Sequence, residues 1–268
     1  MTAGQHQEER GGAILKTIAI VTGASGGLGR AFVEQLTERL LDEIWCVARD
    51  GEKLAALRAR WGERIVPLSL DLAAAESAQA LERRLQEQRC AVAYLVNSAG
   101  VGEELAPTGR FSPEQAARLV AVNCTAVTSL CAVCLPFMAA GGHILNIASQ
   151  SAFQPVPYLN LYASSKAFVR SYTRALHAEM RGTGLTVTAV CPGWVDTGML
   201  AREVGGVKVR YPGLVPPAPV ARKALKDAER GRDQSVCTLY VKWMHLVAKL
   251  LPQRAVMWGW TKSVQRYL

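Results

Sequence analysis

Histidine is scarce in this chain, four in 268 residues, and the four are scattered without the close spacing that metal ligation requires. No metal site is readable. Cysteines number seven, an odd count. Stretches such as "VNCTAV" and "CAVCLPF" place them among apolar residues, which suits reduced, buried thiols better than a disulfide framework. Cys131 and Cys134 form a single CxxC without a second pair, in a segment that reads as a core helix. There is no internal repeat and no low-complexity tract. No apolar run approaches the roughly 18 to 20 residues of a bilayer-spanning helix, so none is expected. The opening "MTAGQHQEERGGAILK" lacks the basic-then-apolar order of a secretory signal, and the expected location is cytoplasmic.

What is present is a large apolar fraction, 50%, enough to bury one sizeable core. The net charge is +9, yet the basic residues are spread along helical segments without aromatic interleaving, so no nucleic-acid partner is expected. Short β-rich runs, "TIAIVTGA", "EIWCVAR", "IVPLSLDL", "AYLVNSAG", "GHILNIAS" and "LTVTAVCPG", alternate with helix-length amphipathic stretches. That alternation predicts a single α/β domain with a parallel sheet covered by helices on both faces. Ligands of such sheets bind at the carboxyl ends of the strands, so functional residues belong there.

The first strand runs into "TGASGGLGRAF", placing Gly23, Gly27 and Gly29 at a strand-to-helix turn. Main-chain N–H groups can approach a pyrophosphate there, at the positive end of the helix. The second strand ends in Ala48 and Arg49, where an acid would hold the ribose hydroxyls of NAD. Arg49 can instead clamp a 2′-phosphate, so NADP is favoured over NAD.

In "YASSK", Tyr162 and Lys166 share a face at helical spacing. A tyrosine in water titrates near about 10. A nearby ammonium stabilises the phenolate, which makes the residue a usable proton donor and acceptor. Ser149, at the tip of "HILNIAS", can hydrogen-bond a substrate oxygen while Tyr162 moves the proton. Asn123 stands in a helical stretch that an amide disfavours.

Together these motifs resemble the short-chain dehydrogenases/reductases: "TGASGGLG", "NSAG" with Ser98 in place of a second Asn, Ser149 followed by "YASSK", and "PGWVDT" occur in the family's order between 16 and about 200. The resemblance implies a doubly wound Rossmann-type sheet of about seven parallel strands. It also implies reversible hydride transfer between a nicotinamide and a carbonyl or secondary alcohol. Tyr162 would be the general acid/base and Lys166 its pKa-lowering, ribose-binding partner. Ser149 would position the carbonyl, and Asn123 would hold a helix irregularity and a proton-relay water. Cofactor contacts would come from Gly23, Ser25, Gly27, Leu28 and Gly29, from Arg49, and from Asp71 and Leu72 at the adenine. Asn97, Ala99 and Gly100 would line the cleft, with Pro192, Gly193, Val195 and Thr197 near the nicotinamide. Many NADP-dependent members carry a basic residue where this chain has Gly26, which leaves Arg49 as the basis for NADP. The family also implies a homo-oligomer, a dimer or tetramer built on the helices carrying Asn123 and Tyr162.

Residues 1–15 read as a polar N-terminal extension, 16–239 as the catalytic domain, and 198–220 within it as an apolar lid. Tyr158, Met199 and Leu200 are expected at the substrate, a lipophilic carbonyl such as a steroid, a 3-oxoacyl chain or another hydrophobic ketone. Ser164 and Ser165 read as small spacers. The segment 240–268 carries three tryptophans, five Lys or Arg and no acid. It reads either as a helix packed over the core, the favoured reading, or as a peripheral contact with an anionic membrane. A catalytically silent dinucleotide-binding sensor is the alternative to an enzyme.

Overall fold

The computed structural model describes residues 15–204 and 206–268, so most of the expected N-terminal extension lies outside the described residues. The six apolar runs form β1 (Lys16–Thr22), β2 (Glu43–Ala48), β3 (Ile65–Ser69), β4 (Cys90–Asn97), β5 (Met138–Ile147) and β6 (Thr186–Val190). A small antiparallel pair follows, β7 (Glu203–Val204) with β8 (Val207–Lys208), and then β9 (Gln234–Ser235). The main sheet is parallel with seven strands in the order β3-β2-β1-β4-β5-β6-β9. The order reverses between β1 and β4, which opens a crevice beyond their carboxyl ends.

The helices are α1 (Gly27–Leu36), α2 (Gly51–Trp61), α3 (Glu76–Gln88), α4 (Pro113–Val120), α5 (Ala126–Cys134), α6 (Asn160–Glu179), α7 (Pro217–Glu229), α8 (Leu239–Leu250) and α9 (Gln253–Val264). Successive side chains of β1 enter opposite cores. Ile18 and Ile20 pack with Leu85 of α3, Leu130 of α5 and Val169 of α6. Ala19 and Val21 pack with Phe32 of α1, Leu54 of α2 and Leu225 of α7. Burial on both faces is why the strand sequences are almost continuously apolar. Six of the seven thiols are buried and all are free, and burial pushes Cys46 and Cys191 up to about 12.

One continuous helix, Pro113–Phe137, is long and apolar enough by length and composition to cross a membrane, which the sequence reading did not anticipate. It begins with a reciprocal capping box between Ser112 and Gln115, and its α5 portion packs on α3, β4 and β5 as a core helix of the fold. The proposed lid is also shorter than expected, because α7 starts at Pro217. It carries the β7–β8 pair and is tied down by the Val195–Val215 bridge and by Tyr211, whose hydroxyl donates to Ala201 O at 2.7 Å. At the C-terminus, α8 buries Val241 completely and stacks His245 on Phe153 at 4.0 Å. The Trp260 indole N–H of α9 donates to Pro157 O at 2.8 Å. The inner side of this segment is therefore packed on the domain.

Candidate active site

A cleft of about 1730 Å3 lies over the carboxyl ends of β4, β5 and β6, walled by the segments that follow each strand and by α8 and α9. Ser149, two residues beyond β5, is buried at the cleft wall, and its Oγ accepts from Ser151 N at 3.1 Å. Tyr162 and Lys166 face it from the first two turns of α6, with Lys166 Nζ 5.7 Å from the Tyr162 ring centre. Lys166 is 4% exposed and its Nζ donates to Ile147 O at 2.8 Å, so the lysine is pinned to the last residue of β5.

Burial depresses Lys166 to about 8. Burial also pushes the Tyr162 phenol up, and a hydrogen bond with Ser149 acts against that rise. The expected lowering by Lys166 does not set the balance in this structure. The ammonium is nearly 6 Å from the ring centre, and its own charge is disfavoured by the same burial.

Asn123 is wholly buried in a π turn, Ala121–Thr125, where Ala126 N reaches back five residues to Ala121 O. Its Oδ1 accepts from Val101 N at 2.9 Å; its Nδ2 donates to Val101 O at 3.0 Å and to Ser165 Oγ at 3.1 Å. Ser165 in turn donates to Tyr162 O at 2.7 Å. Thus Ser165 is more than a spacer: it joins the irregular helix to the turn that carries Tyr162. Ser164 is exposed.

Glu103 is the residue that sequence reasoning missed. Its Oε2 accepts from Tyr162 N at 2.6 Å, at the positive end of α6, while its buried Oε1 has no hydrogen-bond partner. Burial pushes this carboxyl up, against the two backbone N–H groups of Leu161 and Tyr162 that lower it. Gln150 Oε1 and Ser151 Oγ, also at the cleft, are likewise buried and unpaired.

The glycine turn fits a dinucleotide. Gly23 has φ +63°, and a Cβ there would stand 2.8 Å from Ala99 Cα; a Cβ on Gly27 would stand 2.8 Å from Thr197 Cγ2. Ala99 N donates to Thr22 Oγ1 at 3.0 Å, which holds the β1 and β4 ends together. Ser25 lies half-buried in the turn and Leu28 lines the cleft. No acidic side chain occupies the first turn of α1, and Gly26 contributes no capping group, so the helix end can receive an anion. Gly100, Pro192, Gly193, Val195 and Thr197 line the cleft, and a Cβ on Gly100 would touch both Asn123 Oδ1 and Lys166 Nζ.

Arg49 is exposed at the end of β2. The neighbouring acid is engaged elsewhere: Asp50 caps α2 through Lys53 N at 3.0 Å and pairs with Lys53 Nζ at 2.7 Å. Asp71 is exposed beyond β3 and pairs with Arg118 at 3.0 Å; the Ala73 N–H and then Arg118 hold its carboxyl below the usual range. Leu72 packs against the core.

Three residues expected on the cleft wall do not line it: Asn97, Tyr158 and Ala99, whose N–H is taken by Thr22 Oγ1. Asn97 does not line the cleft: it is 2% exposed, and its Nδ2 donates to Asn146 Oδ1 at 2.8 Å inside the sheet. Asn146 passes the chain on to Thr173 Oγ1 at 3.1 Å, and Ser98 takes the cleft position instead. Tyr158 is also absent from the cleft wall; it holds φ +66°, and its carbonyl accepts from Ala106 N at 3.1 Å. Val156 and Leu159 on either side do line the cleft, as do Met199 and Leu200.

A doubly wound parallel sheet with Ser149, Tyr162 and Lys166 at its carboxyl edge defines an α/β protein of Rossmann type. The chain belongs to the short chain dehydrogenase family, whose model matches residues 17–206. It is 33% identical over 195 residues to a probable oxidoreductase, EphD, of Mycobacterium tuberculosis, covering 69% of this chain and 32% of that protein. The chain thus spans about a third of the length of that relative. Among solved structures, a short-chain dehydrogenase from Sphingobium yanoikuyae in complex with NADPH superposes with a TM-score of 0.74 at 30% identity, covering 91% of this chain and 95% of that one. A bulky-bulky ketone specific alcohol dehydrogenase from Comamonas testosteroni superposes with a TM-score of 0.72 at 28% identity, covering 91% and 94%.

Proposed function

We propose that this chain is an NADP-preferring oxidoreductase acting on a lipophilic carbonyl compound or its secondary alcohol. The observation that carries the reading is the convergence of Ser149, from the end of β5, with Tyr162 and Lys166, from α6, on one cleft wall. A bound nicotinamide dinucleotide supplies or accepts the hydride. Ser149 Oγ orients the substrate oxygen, and the Tyr162 hydroxyl delivers a proton to it in reduction and removes one in oxidation. Lys166 favours the phenolate whenever it is charged and holds the cofactor ribose. Asn123 and Ser165 keep the Tyr162 turn in place, and Asn123 would hold the water of the proton relay.

The remaining cofactor contacts fall to the Gly23–Gly29 turn, to Asp71 and Leu72, and to the segment from Pro192 to Thr197. Arg49 favours NADP because the adjacent Asp50 is already spent on Lys53. The walls contributed by Met199, Leu200, Val209, Met244 and Val247 suit a hydrophobic ketone better than a sugar. The Comamonas relative, named for bulky ketones, supports that class. Exposed Val120, at the end of α4 beside the π turn of Asn123, and Phe168 of α6 offer the apolar contacts for a homo-oligomer.

The test follows NADPH and NADH absorbance with steroids, 3-oxoacyl compounds and bulky ketones. Turnover of at least one is expected, and Tyr162→Phe should lower kcat by about 100-fold or more. Undiminished alcohol oxidation by that variant overturns the mechanism. Dinucleotide binding without any turnover would leave a sensor.

A further inference from the structure

Helix α8 has two unlike faces. Its inner face buries Val241 and lines the cleft with Met244 and Val247. Its outer face exposes Leu239, Trp243, Leu246 and Leu250, at 81%, 62%, 46% and 69%. The spacing of i, i+4, i+7 and i+11 sets these four in one stripe about 60° wide, at about 100° of rotation per residue. Lys242 and Lys249, both exposed, flank one edge of the stripe. Leu251 and Trp258 add further exposed apolar surface at the end of α8 and on α9. A soluble monomer rarely leaves such a row of large apolar side chains uncovered, so the row marks an interaction surface.

Charge selects the occupant. From residue 240 to 268 there are five Lys or Arg and no acid. A two-fold contact between copies would set this patch against itself and bring like charges together. An anionic bilayer offers apolar depth to the stripe, an interfacial level for tryptophan, and opposite charge to the lysines. We propose that α8 and α9 dock the protein on an anionic lipid bilayer, with Leu246 and Leu250 among the acyl chains, Trp243 at the interfacial level and Lys242 and Lys249 against the headgroups. Because the same helix walls the cleft on its other side, docking sets the cleft beside the lipid phase, from which a lipophilic substrate enters. The route of entry rests on the function proposed above; the docking does not.

The full chain is sedimented with phosphatidylcholine vesicles made with and without phosphatidylglycerol. Binding is expected only with phosphatidylglycerol and is expected to weaken as salt rises. The double variants Trp243→Ser/Leu246→Ser and Lys242→Glu/Lys249→Glu should each lower the partition constant about tenfold or more. None of these four residues lines the cleft, so reduction of a water-soluble ketone should be unchanged in both variants. Absence of turnover in the unaltered chain would sink the enzymatic reading while leaving the vesicle result intact. The docking proposal is overturned by no sedimentation with phosphatidylglycerol at low salt, by equal binding to pure phosphatidylcholine, or by unaltered binding of either double variant. It is equally overturned if Trp243→Ser/Leu246→Ser lowers the molar mass in light scattering, since a second copy would then cover the stripe.

Discussion

The carboxylate of Glu103 holds the backbone N–H of Tyr162, at 2.6 Å. The loop after β4 thereby fixes the first turn of α6 at the residue whose side chain faces the cleft. Glu103→Ala should cost about 1 kcal/mol of stability, the usual loss on removing a helix N-terminal acceptor. It should also lower kcat more than it raises KM, because the substrate walls remain while Tyr162 loses its fixed position. Glu103→Gln keeps an acceptor and should recover most of both. Urea unfolding and steady-state kinetics on the three proteins decide; an alanine variant with unaltered kcat makes the contact structural only.

Nothing in "VGEELAPTG" separates Glu103 from its exposed neighbour Glu104, because the partner that distinguishes it lies 59 residues further on. Tyr162 and Lys166 were legible because helical geometry alone brings positions four apart together, and Ser149 because a strand tip in a parallel sheet points to the binding edge. Asn97 shows where motif matching fails. Its segment fits the family pattern, but strand parity puts it on the side of Leu95, in the core containing Cys131, whereas Val96 enters the opposite core. Reading β4 with period two would have turned the amide inward, toward Asn146. Strands β1 to β6 were readable from buried apolar runs; β9, two residues long, carries no pattern to read.

Lys166 gives the fold a pH signature. Its ordinary value is 10.5 and its folded value about 8. Below about 8 it is protonated in both states, and the cost of burying the charge is constant. Between about 8 and 10.5 the folded protein releases the proton while the unfolded chain retains it, so stability rises with pH across that window and levels off above it. The unfolding free energy of the native chain minus that of Lys166→Met should therefore climb from about pH 8 to pH 10.5 and stay flat between pH 6 and 7. A difference that is flat throughout would mean that Lys166 titrates as if in water.

Arg49 is the residue on which the proposed preference for NADP can be tested. With Asp50 committed to Lys53 and Asp71 to Arg118, the guanidinium at the end of β2 is the basic group available for a 2′-phosphate. Arg49→Ser should weaken NADPH binding about tenfold, the worth of one charge-assisted contact, and leave NADH binding within about twofold. Calorimetric titration of both dinucleotides reads the split directly. Equal losses for the two would place Arg49 at a phosphate they share.

Two glycines at helix starts should respond in opposite ways to alanine. A Cβ on Gly29 would fall inside contact distance of the Gly23 carbonyl, a backbone group that no rotamer change can move aside. Gly29→Ala must therefore open the turn between β1 and α1, at a cost of about 1 to 3 kcal/mol, and disturb the cradle that Gly23 forms against Ala99. Gly51, the first residue of α2, has open space around its Cβ position and no left-handed backbone angle. Gly51→Ala should stabilise by about 0.5 to 1 kcal/mol, because alanine loses less backbone freedom on folding. Thermal unfolding should move down for the first variant and up for the second. NADPH affinity should fall at least about tenfold in Gly29→Ala, where more than about 1.4 kcal/mol of distortion reaches the anion site, and stay unchanged in Gly51→Ala. If both variants bound NADPH as the native chain does, the β1–α1 turn would not be the phosphate site.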